Sequence, residues 1–161
     1  MPNTINAVAD YLTREGWEFS CCEEDGTIEM QVAAPAGHWI FMVRASDDGR
    51  TVFFHSLCPL RVPVEYRPKV AEFLMRVNRG AYIGGFVMDF DSGEIRYETY
   101  MQADEYVDPS ATELPSVDNN LATMNKYLPG IARVISSDVT PAEALTEVVT
   151  GVRVDKKYIY N

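Results

Sequence analysis

Across residues 62–101 the apolar side chains change from helical spacing to alternation at a glycine break, and this switch restricts the fold more than any other stretch. Tyr66, Val70, Phe73, Leu74 and Val77 fall at i, i+4, i+7, i+8 and i+11, one stripe of a helix that has to be buried. Gly80, Gly84 and Gly85 end that helix. Phe86, Met88 and Phe90 then alternate with other residues, Asp91-Ser92-Gly93 turns the chain, and Ile95, Tyr97 and Thr99 return. That is the pattern of an antiparallel pair.

The same two periods organise the flanks. Thr4 is placed to cap a first helix whose apolar face is Ile5, Val8, Ala9 and Leu12, and Gly16 supplies its stop. Trp17, Phe19 and Cys21 then alternate with Glu18 and Ser20, and Ile28, Met30 and Val32 with Glu29 and Gln31, as in strands with one wet face. Pro35-Ala36-Gly37 and Asp47-Asp48-Gly49 turn the chain before and after a strand over 38–45, which pairs with one over 51–58. Residues 102–116 are acidic, contain Pro109 and Pro115, and read as a loop. A third helix from about Val117 carries Leu121, Met124, Leu128, Ile131 and Ile135, and Pro129-Gly130 predicts a kink or break near Tyr127. Thr140-Pro141-Ala142-Glu143 is a capping box that opens a last helix with Leu145, Val148 and Val149. The expected fold is one α+β domain over 1–150, an antiparallel sheet of five to six strands with helices packed on it, followed by a fraying tail over 151–161.

With 161 residues and 47% apolar content the chain can bury one full core. Its formal charge of -10 and pI of about 4.6 repel phosphate backbones, so neither nucleic acid nor an anionic membrane is an expected partner. No stretch approaches the roughly 20 apolar residues of a membrane span, and the start lacks a basic leader, so the expected location is the cytoplasm. Cys21, Cys22 and Cys58 show no disulfide or CxxC spacing and are expected to be reduced, mostly packed as small apolar groups.

Chemistry-bearing patterns are sparse. His38 and His55 have no ligand at metal spacing and read as structural or surface residues. Asp89, Asp91 and Glu94 flank a turn, but the position of its glycine and the missing downstream glutamate do not fit a calcium loop. The glycines of residues 80–85 follow a helix and enter a strand, the reverse of a phosphate cradle. No nucleophile can be given a base from local spacing, so the chain is read as non-enzymatic, with neither cofactor nor metal.

Two features suggest interaction. The strand over 38–45 is apolar on both sides, with Trp39, Phe41 and Val43 on one and Ile40 and Met42 on the other. The chain's helices can cover one side; a polypeptide partner or a second copy forming a homodimer would cover the rest. Alternation alone does not tell which of Trp39, Ile40, Phe41, Met42, Phe53 and Phe54 face outward. The second feature is a locally basic helix: residues 61–80 carry five cations against two acids, whereas 86–120 carry nine acids against Arg96 alone. Arg67, Arg76 and Arg79 are candidates for charge-assisted bonds to an acidic or mixed peptide; the plainer reading is a solvated helix face.

The run Pro63, Arg67, Val70, Glu72-Phe73-Leu74, Arg76-Val77-Asn78, Gly80, Ile83-Gly84, Phe86, Asp89, Gly93-Glu94 and Arg96-Tyr97 resembles the YbjN domain family of bacterial sensory transduction regulators. Asn120-Leu121, Met124, residues 127–131, Val134-Ile135 and residues 141–144 extend the resemblance over nearly the whole chain. It implies a fold similar to type III secretion chaperones, which are small, acidic, usually dimeric proteins that hold an extended partner segment, and it brings no catalytic residues. The expected function is a chaperone-like or regulatory adaptor that binds a polypeptide. The alternative is a ligand-sensing regulator with a small pocket between helix and sheet, near Tyr97 and the 67–79 helix.

Overall fold

The computed structural model describes residues 3–22, 24–103 and 113–152. The elements run α1 (Asn3–Arg14), β1 (Ser20–Cys21), β2 (Ile28–Ala34), β3 (Gly37–Ala45), β4 (Thr51–Leu57), α2 (Arg67–Asn78, entered through a short 3-10 turn), β5 (Gly85–Met88), β6 (Ile95–Gln102), α3 (Pro115–Ser136) and α4 (Pro141–Thr150). The expected loop over 102–116 lies mostly outside the described residues, as does the tail from 153 onward.

The six strands form one sheet in the order β1-β2-β3-β4-β6-β5, antiparallel at every pairing. Hairpins built on local turns set β2 against β3 and β3 against β4. The α2–β5 excursion then lets β6 return beside β4, with β5 outside it. The buried stripes of the four helices join Ile28, Met30, Val32, Trp39, Phe41, Val43, Val52, Phe54, Ile95, Tyr97 and Met101 in one core cluster. Each fully buried Val, Leu or Phe there contributes about 1.5–3 kcal/mol.

Polar side chains anchor the helices onto this core. The buried Asn120 amide on α3 donates to the Phe54 and Tyr97 carbonyls at 3.0 and 3.2 Å, fixing the helix across the β4–β6 seam. Asn78, at the end of α2, brackets Phe86 by donating to its carbonyl at 2.9 Å and accepting its N–H at 2.7 Å, as a neighbouring strand would. The Trp39 indole N–H reaches Ser56 Oγ at 3.0 Å inside the core, which satisfies a donor that would be costly unpaired.

Several expectations are corrected. Thr4 lies within α1 rather than capping it, and its hydroxyl donates to the Ala103 carbonyl at the end of β6. The strand expected from Trp17 is only Ser20–Cys21, because Trp17 and Phe19 leave the ladder to pack against the core. Helix α3 runs unbroken through Pro129 for 22 residues. Gly130 explains why the Pro-Gly pair belongs inside a helix: a Cβ there would stand 2.4 Å from Phe73 Cζ on α2 and 2.8 Å from Val148 Cγ2 on α4. Three helices meet at that point, and only a glycine admits the approach. Cys21 and Cys22 are exposed rather than packed, while Cys58 is half-buried and burial pushes its thiol up to about 11. The capping box of α4 is present as expected, Thr140 Oγ1 accepting from Glu143 N–H and Glu143 from Thr140 N–H.

Candidate functional site

All four helices gather on one face of the sheet, and the other face is left to solvent among the described residues. Ile40 and Met42 on β3, and Phe53 and Leu57 on β4, are half-buried by one another and stand outside the core cluster. Strand pairing sets them in rows. Gln31, Ile40, Leu57, Arg96 and Val87 form one row; Glu29, Met42, His55 and Glu98 form the next; Arg44, Phe53 and Tyr100 form a third. Val87 is 40% and Tyr100 58% exposed, so the apolar ground extends to the β5 edge. Two acids and two arginines are interleaved in it.

The centre of this face is polar. The His55 side chain lies beneath its neighbours, its ring stacked on Phe53 with centroids 6.0 Å apart. Glu98 Oε2 sits 3.1 Å from His55 Nδ1 and 2.9 Å from Arg96 Nε. Neither nitrogen has a hydrogen-bond partner of good geometry, so the Arg96–Glu98 contact acts as an ion pair, and His55 joins it by charge only when protonated. Burial pushes the His55 imidazole below its ordinary range; Glu98 partly opposes this, and Arg96 and Arg44 reinforce it.

The structure divides the candidate residues. Trp39 and Phe41 are 3% and 0% exposed and belong to the core, as does Phe54, so they present nothing to a partner in the folded state. Ile40, Met42 and Phe53 are the outward members. Arg67 is spent on structure. Its Nε donates to the Val62 carbonyl at 3.1 Å, and its Nη1 to the Phe90 and Asp91 carbonyls at 2.8 and 3.0 Å, clamping the start of α2 to the β5–β6 turn. That turn needs Gly93 at φ 75°, where a Cβ would collide with the Val62 carbonyl at 2.2 Å. Asp89, imagined as a cation ligand, instead accepts the N–H groups of Asp91 and Ser92, and those bonds lower its pKa. Arg76 pairs with Glu72 one turn earlier, and Arg79 is an exposed cap at the end of α2. The arginines therefore do not converge on the open face.

A separate cleft of about 480 Å³ opens between the end of α2, the 80–84 loop and α3. Tyr97 and Tyr127 line it beside Asn119, Thr123 and Lys126, and Tyr82 stands fully exposed at its mouth. The Tyr97 hydroxyl is occupied, donating to the Ile83 carbonyl at 2.5 Å, and burial raises its pKa. Among the described residues no group of three or more His, Cys, Asp or Glu is placed to hold a metal ion, and no helix is long and apolar enough to cross a membrane.

Sequence reasoning missed the His55, Arg96 and Glu98 cluster. The Asp47-Asp48-Gly49 hairpin already fixes Met42 opposite His55, which a cross-strand reading could have used. The β4–β6 pairing that brings in Glu98 is non-local and leaves no such signal.

A family model described as "Putative bacterial sensory transduction regulator", YbjN, matches residues 4–113. No curated protein matches the chain. Among solved structures, a chain of the ExsC-ExsE complex aligns with a TM-score of 0.55 at 13% identity, over 86% of this chain and 100% of that one. The crystal structure of YbjN from E. coli aligns with a TM-score of 0.48 at 12% identity, over 84% of this chain and 90% of the other. The α+β fold that the sequence resemblance implied, type III secretion chaperone-like with an antiparallel sheet, is the fold present, and the sheet has six strands. Because the family match spans more than half of the chain, the protein belongs to the YbjN family.

Proposed function

We propose that this protein is a non-enzymatic interaction module, a chaperone-like or regulatory adaptor of the cytoplasm, that holds a polypeptide partner against the outer face of its sheet. One observation carries the reading. Ile40, Met42, Phe53, Leu57, Val87 and Tyr100 lie on a face that no described element covers, interleaved with Glu29, Arg44, Arg96 and the His55–Glu98 pair. A face that mixes large apolar side chains with charges of both signs suits a protein partner, and the chain's net charge of -10 disfavours nucleic acid. The fold is also that of a chain found in a two-protein complex. The test is capture of partners from source lysate on the tagged protein and on Ile40→Asp, with circular dichroism on both. Loss of a stoichiometric partner with an unchanged spectrum supports the reading; equal capture by the two overturns it. A second copy covering the same face would appear instead as a dimer in sedimentation that Ile40→Asp splits.

The cleft beside Tyr97 favours a second reading, ligand sensing, because it combines aromatic walls with Asn119, Thr123 and Lys126. A thermal-shift screen of metabolites checks it. A ligand that binds only the folded state raises the midpoint, and no shift in any pool counts against it.

A further inference from the structure

The backbone directions of β2 single out one edge. The Cys22 N–H donates to the Thr27 carbonyl at 2.8 Å, so Thr27 directs its backbone groups toward the β1 side. In an antiparallel ladder that direction alternates, so Glu29, Gln31 and Ala33 point the same way, while Met30 and Val32 point to β3. Strand β1 pairs only with Glu29 and Ile28. Beyond it the N–H and C=O groups of Gln31 and Ala33 face a side with no strand partner among the described residues. There the chain at Glu18 and Phe19 swings away from β2 and leaves a cleft of about 380 Å³, with Phe19 and Met30 as its apolar wall and Glu18, Glu29 and Gln31 at its mouth.

We propose that this edge accepts an extended basic segment of a partner polypeptide as an added strand beside Gln31 and Ala33. The inference rests on the polypeptide-partner reading above and names the chemistry of the partner. Charge selects the occupant. From Asp10 to Gln31 the chain carries seven acids and one arginine, and Glu18 and Glu29 flank the free edge on its outer side. A second copy adding its own β2 here would bring the same acids against each other, an arrangement that edge strands use to prevent self-pairing. A strand alternating cationic and apolar residues satisfies both sides at once. Its cations meet Glu18 and Glu29 on the outer face, and its apolar residues fill the wall of Phe19 and Met30.

The probe is an acetylated, amidated octapeptide of alternating lysine and valine, compared with its glutamate–valine counterpart. Binding is followed by amide hydrogen exchange and NMR titration of the intact chain. The lysine peptide is expected to slow exchange at Gln31 and Ala33 at least tenfold and to leave Met30 and Val32, already bonded to β3, unchanged. The glutamate peptide is expected not to bind. Glu18→Lys with Glu29→Lys lowers affinity for the lysine peptide tenfold or more. Ala33→Pro abolishes strand addition, because it deletes an N–H that β3 does not use. Equal binding of both peptides, protection elsewhere, or no binding of the lysine peptide overturns the proposal; should Ala33→Pro unfold the chain, the charge-reversed variant decides. The two readings fail separately. A natural partner lost with Ile40→Asp but indifferent to Ala33→Pro and the charge reversal removes the edge and keeps the face. Capture indifferent to all of these variants removes the partner reading itself.

Discussion

The two faces of β3 and β4 both carry large apolar side chains and end in opposite situations. Trp39, Phe41 and Phe54 are sealed under α1 and α3, whereas Ile40, Met42 and Phe53, one position along each strand, lie on the uncovered side. Large apolar residues alone do not make the difference, since Ile40, Met42 and Phe53 match their inner neighbours in size and apolarity. Every helix lies on the same side of one twisted sheet, so the second apolar face is surplus to the chain's own folding. In the proposed reading a partner polypeptide covers that face.

Substitutions across the sheet break or sharpen that contrast. Phe54→Ala should cost about 3–5 kcal/mol in urea denaturation, because its ring is fully buried against Phe41 with centroids 6.3 Å apart. An effect below about 1 kcal/mol would mean that the core is elsewhere. Gly130→Ala should cost about 1–3 kcal/mol by overpacking against Phe73 and Val148, although alanine is the better helix former. A stabilised variant would show that the three helices can part. Thr140→Ala should cost about 1 kcal/mol by removing the cap of α4. On the outer face, Phe53→Ala should cost about 1 kcal/mol or less, since a half-exposed ring loses little burial. A Phe53 effect as large as that of Phe54 would erase the distinction between the faces.

The smallest effect concerns pH. Folding lowers the His55 pKa below the unfolded value of 6.5. The unfolded chain therefore takes up the proton first, and stability begins to fall as pH drops through 6.5, continuing until pH passes below the folded value. His55→Gln should flatten this slope in unfolding experiments between pH 7 and pH 5. An unchanged slope would place the proton uptake on other groups.

What was legible in the sequence was local. The stripe from Tyr66 to Val77, the hairpin at Asp47-Asp48-Gly49 and the Thr140 capping box are each written within a dozen residues, and each is present. What was not legible depended on residues distant in the chain. Pro129-Gly130 reads as a helix break until Phe73 and Val148 are seen pressing on Gly130. Arg67 reads as a solvent-facing cation until the β5–β6 turn supplies two carbonyls to it and Val62 a third. The outward side of β3 could not be chosen by alternation, because the choice is made by where α1 and α3 land. Of the candidate site, Ile40 and Met42 were set on the side opposite Trp39 and Phe41 without the outward side being assigned, and the His55–Glu98 cluster required the β4–β6 pairing.

Two methionines offer the most direct test of the open face. Met42 lies on the outer face of β3, and Met75, 68% exposed, lies on α2, on the helical side. Oxidative footprinting of the chain alone and in complex with its captured partner should show Met42 protected and Met75 oxidised at an unchanged rate. Protection of Met75 with Met42 unaffected would put the partner on the helical side and contradict the role given to the uncovered sheet.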